Sequence, residues 1–125
     1  KNISVVASAE SRGFIFGAIL AHELGVSFVP IRKPGKLPWR TIKEEFELEY
    51  GKDAFEIHED AIKGGDNVLL VDDVLATGGT MNAATRLIER LNGNVAGIAC
   101  LVELSYLKGK ERVKGYDVFS LIDYK

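Results

Sequence analysis

Cysteine, methionine and tryptophan each occur once in the 125 residues, and proline only three times. A lone cysteine, Cys100, can build neither a disulfide framework nor a thiolate zinc site, so a reducing, cytoplasmic setting is expected. The scarcity of proline, beside 46% apolar and 27% charged residues, excludes collagen-like, low-complexity and disordered classes. Charge of one sign is not in excess either: 16 basic against 18 acidic side chains leave a net charge of -2. A duplex-binding surface needs clustered Lys and Arg, so no nucleic-acid partner is expected, although a local anion pocket remains open. Long apolar runs are missing as well. The longest, around residues 14–21, is broken by Gly17 and falls short of the ~18 residues of a membrane span, so no membrane partner is expected. Neither a basic stretch nor a cleavage pattern of a signal peptide opens the chain. It starts at Lys1 without methionine and reaches a strand-like run at once, which reads as a piece of a longer protein. The length suits a single domain, residues 1–125.

Apolar runs of strand length occupy residues 3–7, 28–31, 68–71, 95–102 and 118–122. They are continuous rather than alternating, which predicts strands covered on both faces. Between them lie helix-length segments at 14–24, apolar almost all round, and at 80–91, where Ala84, Leu87, Ile88 and Leu91 share one face. Asn92-Gly93 is a good stop for the second. Strand and helix in alternation give an α/β class, with a central mostly parallel sheet of about five strands flanked by helices. Residues 32–57 do not fit that rhythm: they are rich in charge, carry Pro34, Gly35, Pro38 and Gly51, and hold two short alternating runs. Connections this long are usually functional, so a flexible flap, built as a hairpin, is expected there.

The most informative stretch is Val68-Leu69-Leu70-Val71-Asp72-Asp73-Val74-Leu75-Ala76-Thr77-Gly78-Gly79-Thr80. It reads as a strand, two acids beyond the strand's carboxyl end, a glycine loop and a helix start. Small residues at a helix N-terminus leave backbone N–H groups open to an anion, which makes a monophosphate cradle. It has neither the Gly-Lys-Ser/Thr ending of a Walker loop nor the glycine spacing of a dinucleotide fingerprint. Two carboxylates would repel a phosphate they faced, so Asp72 and Asp73 more naturally face hydroxyl groups or a divalent cation. Ribose 5-phosphate has that layout.

This run resembles the phosphoribosyl pyrophosphate motif of the type I phosphoribosyltransferases. Three further segments, Ala9-Glu10-Ser11-Arg12-Gly13-Phe14, Ile31-Arg32-Lys33-Pro34-Gly35-Lys36-Leu37-Pro38 and Leu48-Glu49-Tyr50-Gly51-Lys52, are similar to the adenine-specific branch of that family. The match runs nearly end to end over a catalytic core, with the family's upstream purine hood absent.

The resemblance implies transfer of phosphoribosyl from phosphoribosyl pyrophosphate to adenine, giving AMP and pyrophosphate. It implies that Asp72 and Asp73 accept hydrogen bonds from the ribose hydroxyls or from water on Mg²⁺, itself held mainly by substrate. Ala76, Thr77, Gly78, Gly79 and Thr80 would hold the 5-phosphate. Glu10, Ser11, Arg12 and Gly13 would form the pyrophosphate loop, with Arg12 stacking on the purine; such loops often carry a non-proline cis peptide. Arg32, Lys33 and Lys36, a cationic cluster facing no run of acids, would meet the diphosphate leaving group, the arginine reaching a neighbouring subunit, so a homodimer is implied. Glu49 would handle the purine proton and Tyr50 would ride the closing flap.

Other residues read blandly. His22 and His58 suit solvated or capping roles, Cys100 a buried core position, Met81 the core or the site lining, and Trp39 a lid contact. Two rivals to adenine transfer stay open: another purine specificity, and a regulator of the same fold that senses phosphoribosyl pyrophosphate.

Overall fold

The computed structural model describes residues 2–48 and 50–125. Five strands, β1 (Val5–Ala9), β2 (Ser27–Ile31), β5 (Asn67–Leu75), β6 (Asn94–Leu104) and β7 (Val118–Tyr124), form one sheet in the order β2-β1-β5-β6-β7. All four pairings are parallel. Strands β3 (Thr41–Leu48) and β4 (Gly51–His58) pair separately as an antiparallel hairpin, within the span expected to form a flap. The α/β class, the five-stranded parallel sheet and the hairpin therefore stand as expected.

Helices α1 (Arg12–Leu24) and α2 (Gly79–Arg90) lie on opposite faces of the sheet. The α1 side packs Val6, Val71 and Ala21 with Phe16, Leu20 and Phe28. Gly17 permits that approach, since a Cβ there would lie 2.8 Å from both Ser8 Oγ and the Phe28 ring. The α2 side is larger, because the hairpin adds Phe46, Phe55 and Ile57 to Met81, Ala84, Leu87 and Ile88. Its root is also tied to the end of β2 by two backbone hydrogen bonds between Arg32 and Glu56. The turn at Asn92-Gly93 ends α2 as expected, with Asn92 left-handed and the Gly93 amide donating to the Ile88 carbonyl.

Three expectations need correction. Helix α1 begins at Arg12, two residues early, because a turn directly after β1 leads into it. Asp72 and Asp73 do not follow their strand: β5 runs on to Leu75, since β6 continues beside it and pairs Asp72 with Cys100 and Leu75 with Glu103. The ladder outweighs the poor strand propensity of aspartate. Finally, β7 is not covered on both faces: Phe119, Leu121 and Ile122 stay exposed, because α1 lies over β1, β2 and β5 rather than over the far edge.

Candidate active site

One cleft of about 440 Å³ opens at the carboxyl end of the sheet, where open parallel sheets place their ligands. On one side stands the loop between β1 and α1, with Glu10, Ser11 and Arg12; on the other runs β5 into α2, with Asp72, Asp73, Ala76, Thr77, Gly78 and Thr80. Lys33 reaches it from the end of β2, and Phe46, Leu48, Asp53 and Phe55 close it from the hairpin. The peptide between Glu10 and Ser11 is cis.

The acid pair is asymmetric. Asp73 Oδ2 lies 2.6 Å from Arg12 Nε, an ion pair that balances its charge. Among the described residues Asp72 has no ion-pair partner. Burial, reinforced by the neighbouring Asp73, pushes its carboxyl up to about 7, whereas an ordinary aspartate titrates near 3.8. Its Oδ1 accepts the Asp73 N–H at 2.7 Å. Gly13 allows this crowding, because a Cβ there would stand 3.1 Å from Asp72 Oδ1 and 3.2 Å from the Val71 carbonyl oxygen.

The cradle is a backbone device. Gly78 caps α2 in the left-handed region, at φ 87°, and the first turn of a helix leaves amides free for an anion that its dipole favours. No acid occupies the first turn of α2 to compete for them. The loop is supported from behind by a 3-10 segment, Gly109–Val113. A Cβ at Gly109 would overlap the Ala76 carbonyl oxygen, and one at Gly78 would overlap the Gly109 carbonyl oxygen and sit 2.8 Å from Arg112 Cβ.

The cations Arg32, Lys33 and Lys36, expected to face no run of acids, are each paired with an acid from another segment. Glu10 Oε1 accepts the Lys33 amide N–H at 2.8 Å and Arg32 Nε–H at 3.2 Å, while Lys36 Nζ lies 3.6 Å from Glu10 Oε2. Lys33 Nζ pairs with Asp53 at 3.0 Å. The physical reason is register: β1 and β2 run parallel with Ala9 opposite Ile31, so the residues that follow each meet. Burial raises the Glu10 carboxyl, but the Lys33 amide and the Lys36 and Arg32 charges more than offset it, leaving it below the usual range. Arg12 likewise holds Asp73.

Of the expected site residues, Glu10, Ser11, Arg12, Lys33, Asp72, Asp73, Ala76, Thr77, Gly78 and Thr80 line the one cleft. Gly13 lies behind Asp72, and Arg32 and Lys36 stand behind Glu10. Gly79 faces a second, adjoining cleft of about 460 Å³ with Lys52, Arg86 and Arg112. Tyr50 is at the hairpin tip, 89% exposed. Glu49 lies outside the described residues. Met81 is both buried and part of the lining, and Cys100 is a core thiol that burial, then the Glu103 and Asp72 charges, push up to about 11. His58 is not solvated at Nε2, which is buried and has no hydrogen-bond partner among the described residues. Asp53, Gly109 and Arg112 were not foreseen. For Asp53 the signal was there, an acid directly opposite the aromatic Phe46 in an alternating hairpin.

With this geometry in place, comparison with known proteins gives one answer. The family model described as phosphoribosyl transferase domain matches residues 1–125. A curated adenine phosphoribosyltransferase from Clostridium perfringens is 59% identical over 124 residues, covering 99% of this chain and 72% of the relative. The crystal structure of adenine phosphoribosyltransferase from Thermoanaerobacter pseudethanolicus superposes with a TM-score of 0.96 at 53% identity, over 98% of this chain and 71% of that one. The Saccharomyces cerevisiae enzyme, complexed with an imino-altritol bisphosphate and adenine, gives 0.93 at 47% identity, over 97% and 68%.

Proposed function

The chain belongs to the adenine phosphoribosyltransferases of the phosphoribosyl transferase domain family, and from that premise we propose how its cleft works. The reaction is purine salvage: adenine and phosphoribosyl pyrophosphate give AMP and pyrophosphate. The bond from the ribose anomeric carbon to the pyrophosphate oxygen breaks, the bond to a purine ring nitrogen forms, and the proton on that nitrogen leaves. The observation that carries the assignment of roles is the meeting, in one cleft, of a paired-acid strand, a backbone phosphate cradle and a cationic loop.

In this reading residues 76–80 hold the 5-phosphate through amides and the hydroxyls of Thr77 and Thr80. Asp72 and Asp73 take the ribose hydroxyls, which lie one sugar ring away from that phosphate. Glu10, Ser11, Arg12 and Gly13 shape the pyrophosphate subsite. Lys33 is the cation nearest the departing diphosphate, with Arg32 and Lys36 available behind it once Glu10 releases them. Such fixed charge favours the step because charge grows on the leaving group. Hairpin residues cover the ribosyl centre and exclude water from an oxocarbenium-like carbon. Glu49 takes the purine proton and Tyr50 moves with the tip.

Mg²⁺ fits the donor set in a restricted way. Among the described residues no group of three or more His, Cys, Asp or Glu could hold a metal by itself, and Asp73 is already engaged by Arg12. That suits an ion held by substrate phosphate oxygens and water, which Asp72 or Asp73 reaches through a water molecule. When bound, it would neutralise charge on the diphosphate. A homodimer, with Arg32 serving the neighbouring site, and a cytoplasmic setting complete the proposal. Among the described residues no helix is long and apolar enough to cross a membrane.

The test is product formation with Mg²⁺ and phosphoribosyl pyrophosphate, offering adenine, hypoxanthine, guanine and xanthine in competition. AMP and pyrophosphate from adenine alone is the expected result. Binding of phosphoribosyl pyrophosphate without turnover of any base would replace the enzyme by a sensor.

A further inference from the structure

Among the described residues Glu103 is the one charged side chain in the buried set, 2% exposed near the end of β6. The reaction makes no use of it. A buried carboxylate is costly unless it is paired and hydrogen-bonded, and even then a well-packed apolar residue often stabilises a fold as much. Its partners suggest another purpose. Glu103 Oε1 lies 3.3 Å from Lys110 Nζ and accepts the Ser120 hydroxyl at 3.3 Å. Lys110 belongs to the 3-10 segment Gly109–Val113, whose backbone touches the back of the phosphate cradle at Ala76 and Gly78 so closely that neither Gly109 nor Gly78 has room for a Cβ. Asn82 of α2 donates to the Arg112 carbonyl at 2.6 Å, and Val113 is buried, so the segment is fixed at its far end too.

We propose that Glu103 is a positioning residue for the phosphate cradle: through Lys110 it pins residues 109–113 behind residues 76–78 and so sets where the cradle's amides point. An apolar contact at this place would resist separation but not sliding, whereas an ion pair backed by a hydroxyl has a preferred direction. The inference rests on the reading of residues 76–80 as a phosphate site.

The experiment compares Glu103→Gln, Lys110→Met and Lys110→Arg with the unaltered chain. It reads ribose 5-phosphate affinity by calorimetry and, in turnover, KM for each substrate and kcat. Glu103→Gln and Lys110→Met are expected to weaken ribose 5-phosphate and raise KM for phosphoribosyl pyrophosphate about tenfold, a scale typical of displacing a binding group from a distance, with KM for adenine and kcat held within about twofold. Lys110→Arg keeps the charge and should match the unaltered chain. Lys110→Met strands a buried carboxylate and can fail to fold; Glu103→Gln leaves only the exposed Lys110 ammonium without its partner, which water solvates, and then decides alone. Unchanged affinities in Glu103→Gln, or a fall in folded fraction with every constant unmoved, overturns the inference while the proposed function stands. If the unaltered chain neither binds ribose 5-phosphate nor forms AMP, the phosphate site itself is wrong and the inference falls with it.

Discussion

The phosphate cradle and the hairpin face each other across the same cleft, yet they are built in opposite ways. The cradle, residues 76–80, is held by backbone against backbone, with the 3-10 segment behind it and the buried face of α2 ahead. The hairpin is held by side chains from Ile57 near its root out to Phe55 and Phe46, which enter the core, and only its last residues, Leu48 and Tyr50, stand exposed at the tip. A group that binds by fixed dipoles gains from rigidity, since nothing need reorganise when the anion arrives. A lid over a substrate must leave again, so on the proposed reading a tip less firmly held than the rest of the hairpin suits that role.

Two substitutions would break this contrast most strongly. Phe55→Ala removes a ring packed against Phe46, with centroids 4.8 Å apart, and should cost about 4 kcal/mol by the usual scale for buried aromatics. Chemical denaturation measures it; a loss under about 1 kcal/mol would mean the hairpin's aromatic pair is not part of the core. Gly78→Ala comes next, since its φ of 87° and the overlap with the Gly109 carbonyl both oppose a side chain. A loss of about 3 kcal/mol is expected from strain and overpacking together, along with loss of phosphoribosyl pyrophosphate binding. Gly79→Ala sharpens the point: its Cβ would meet nothing closer than 3.7 Å, so it should fold normally, and equal damage at both positions would refute the backbone argument.

How far the sequence foretells this molecule follows the same division. The strands of the central sheet and α2 could be read because their apolar runs and period are local properties, and the run from Val68 to Thr80 could be read because one short segment carries strand, acids, cradle and helix start together. What escaped is what depends on distant pairing. Arg32, Lys33 and Lys36 meet Glu10 only because β1 and β2 lie side by side. The support behind the cradle comes from residues 103–113, where no motif stands; a single acid between Val102 and Leu104 in an otherwise apolar strand was the one available sign. Glu49 was named by resemblance alone and lies outside the described residues.

The acid pair offers a gentler probe of the rigid side. Asp72 is pushed up to about 7 by burial and then by Asp73, against an ordinary value of 3.8, so the folded chain holds its proton more firmly than the unfolded one. The stability this contributes is complete below about pH 4 and is lost as the pH rises through about 7. Asp72→Asn lacks the titration. It should therefore gain on the original chain by about 2 kcal/mol between pH 4 and pH 8, less than full linkage because the side chain keeps some solvent. Denaturation in metal-free buffer across that range reads the difference directly; parallel curves would show that Asp72 ionises as in water. The same substitution should lower use of phosphoribosyl pyrophosphate on the order of a hundredfold, as loss of one preorganised polar contact does.

The smallest effect belongs to the hairpin's outer edge. Glu44 bridges to Arg86 at 3.5 Å and to Arg90 at 3.2 Å on α2, with both arginines about half exposed, 58% and 49%. Arg90 also donates to the Lys43 carbonyl at 2.6 Å, a contact that survives loss of the carboxylate. Water screens such pairs, so Glu44→Gln should cost only about 0.5 kcal/mol, and less in high salt. If the hairpin is held by its aromatic pair, this change leaves its order and the turnover rate as they were. If hydrogen exchange along β3 instead quickens as much in Glu44→Gln as in Phe55→Ala, the charges hold the hairpin down, and closing over the substrate would require breaking salt bridges rather than swinging a loosely held tip.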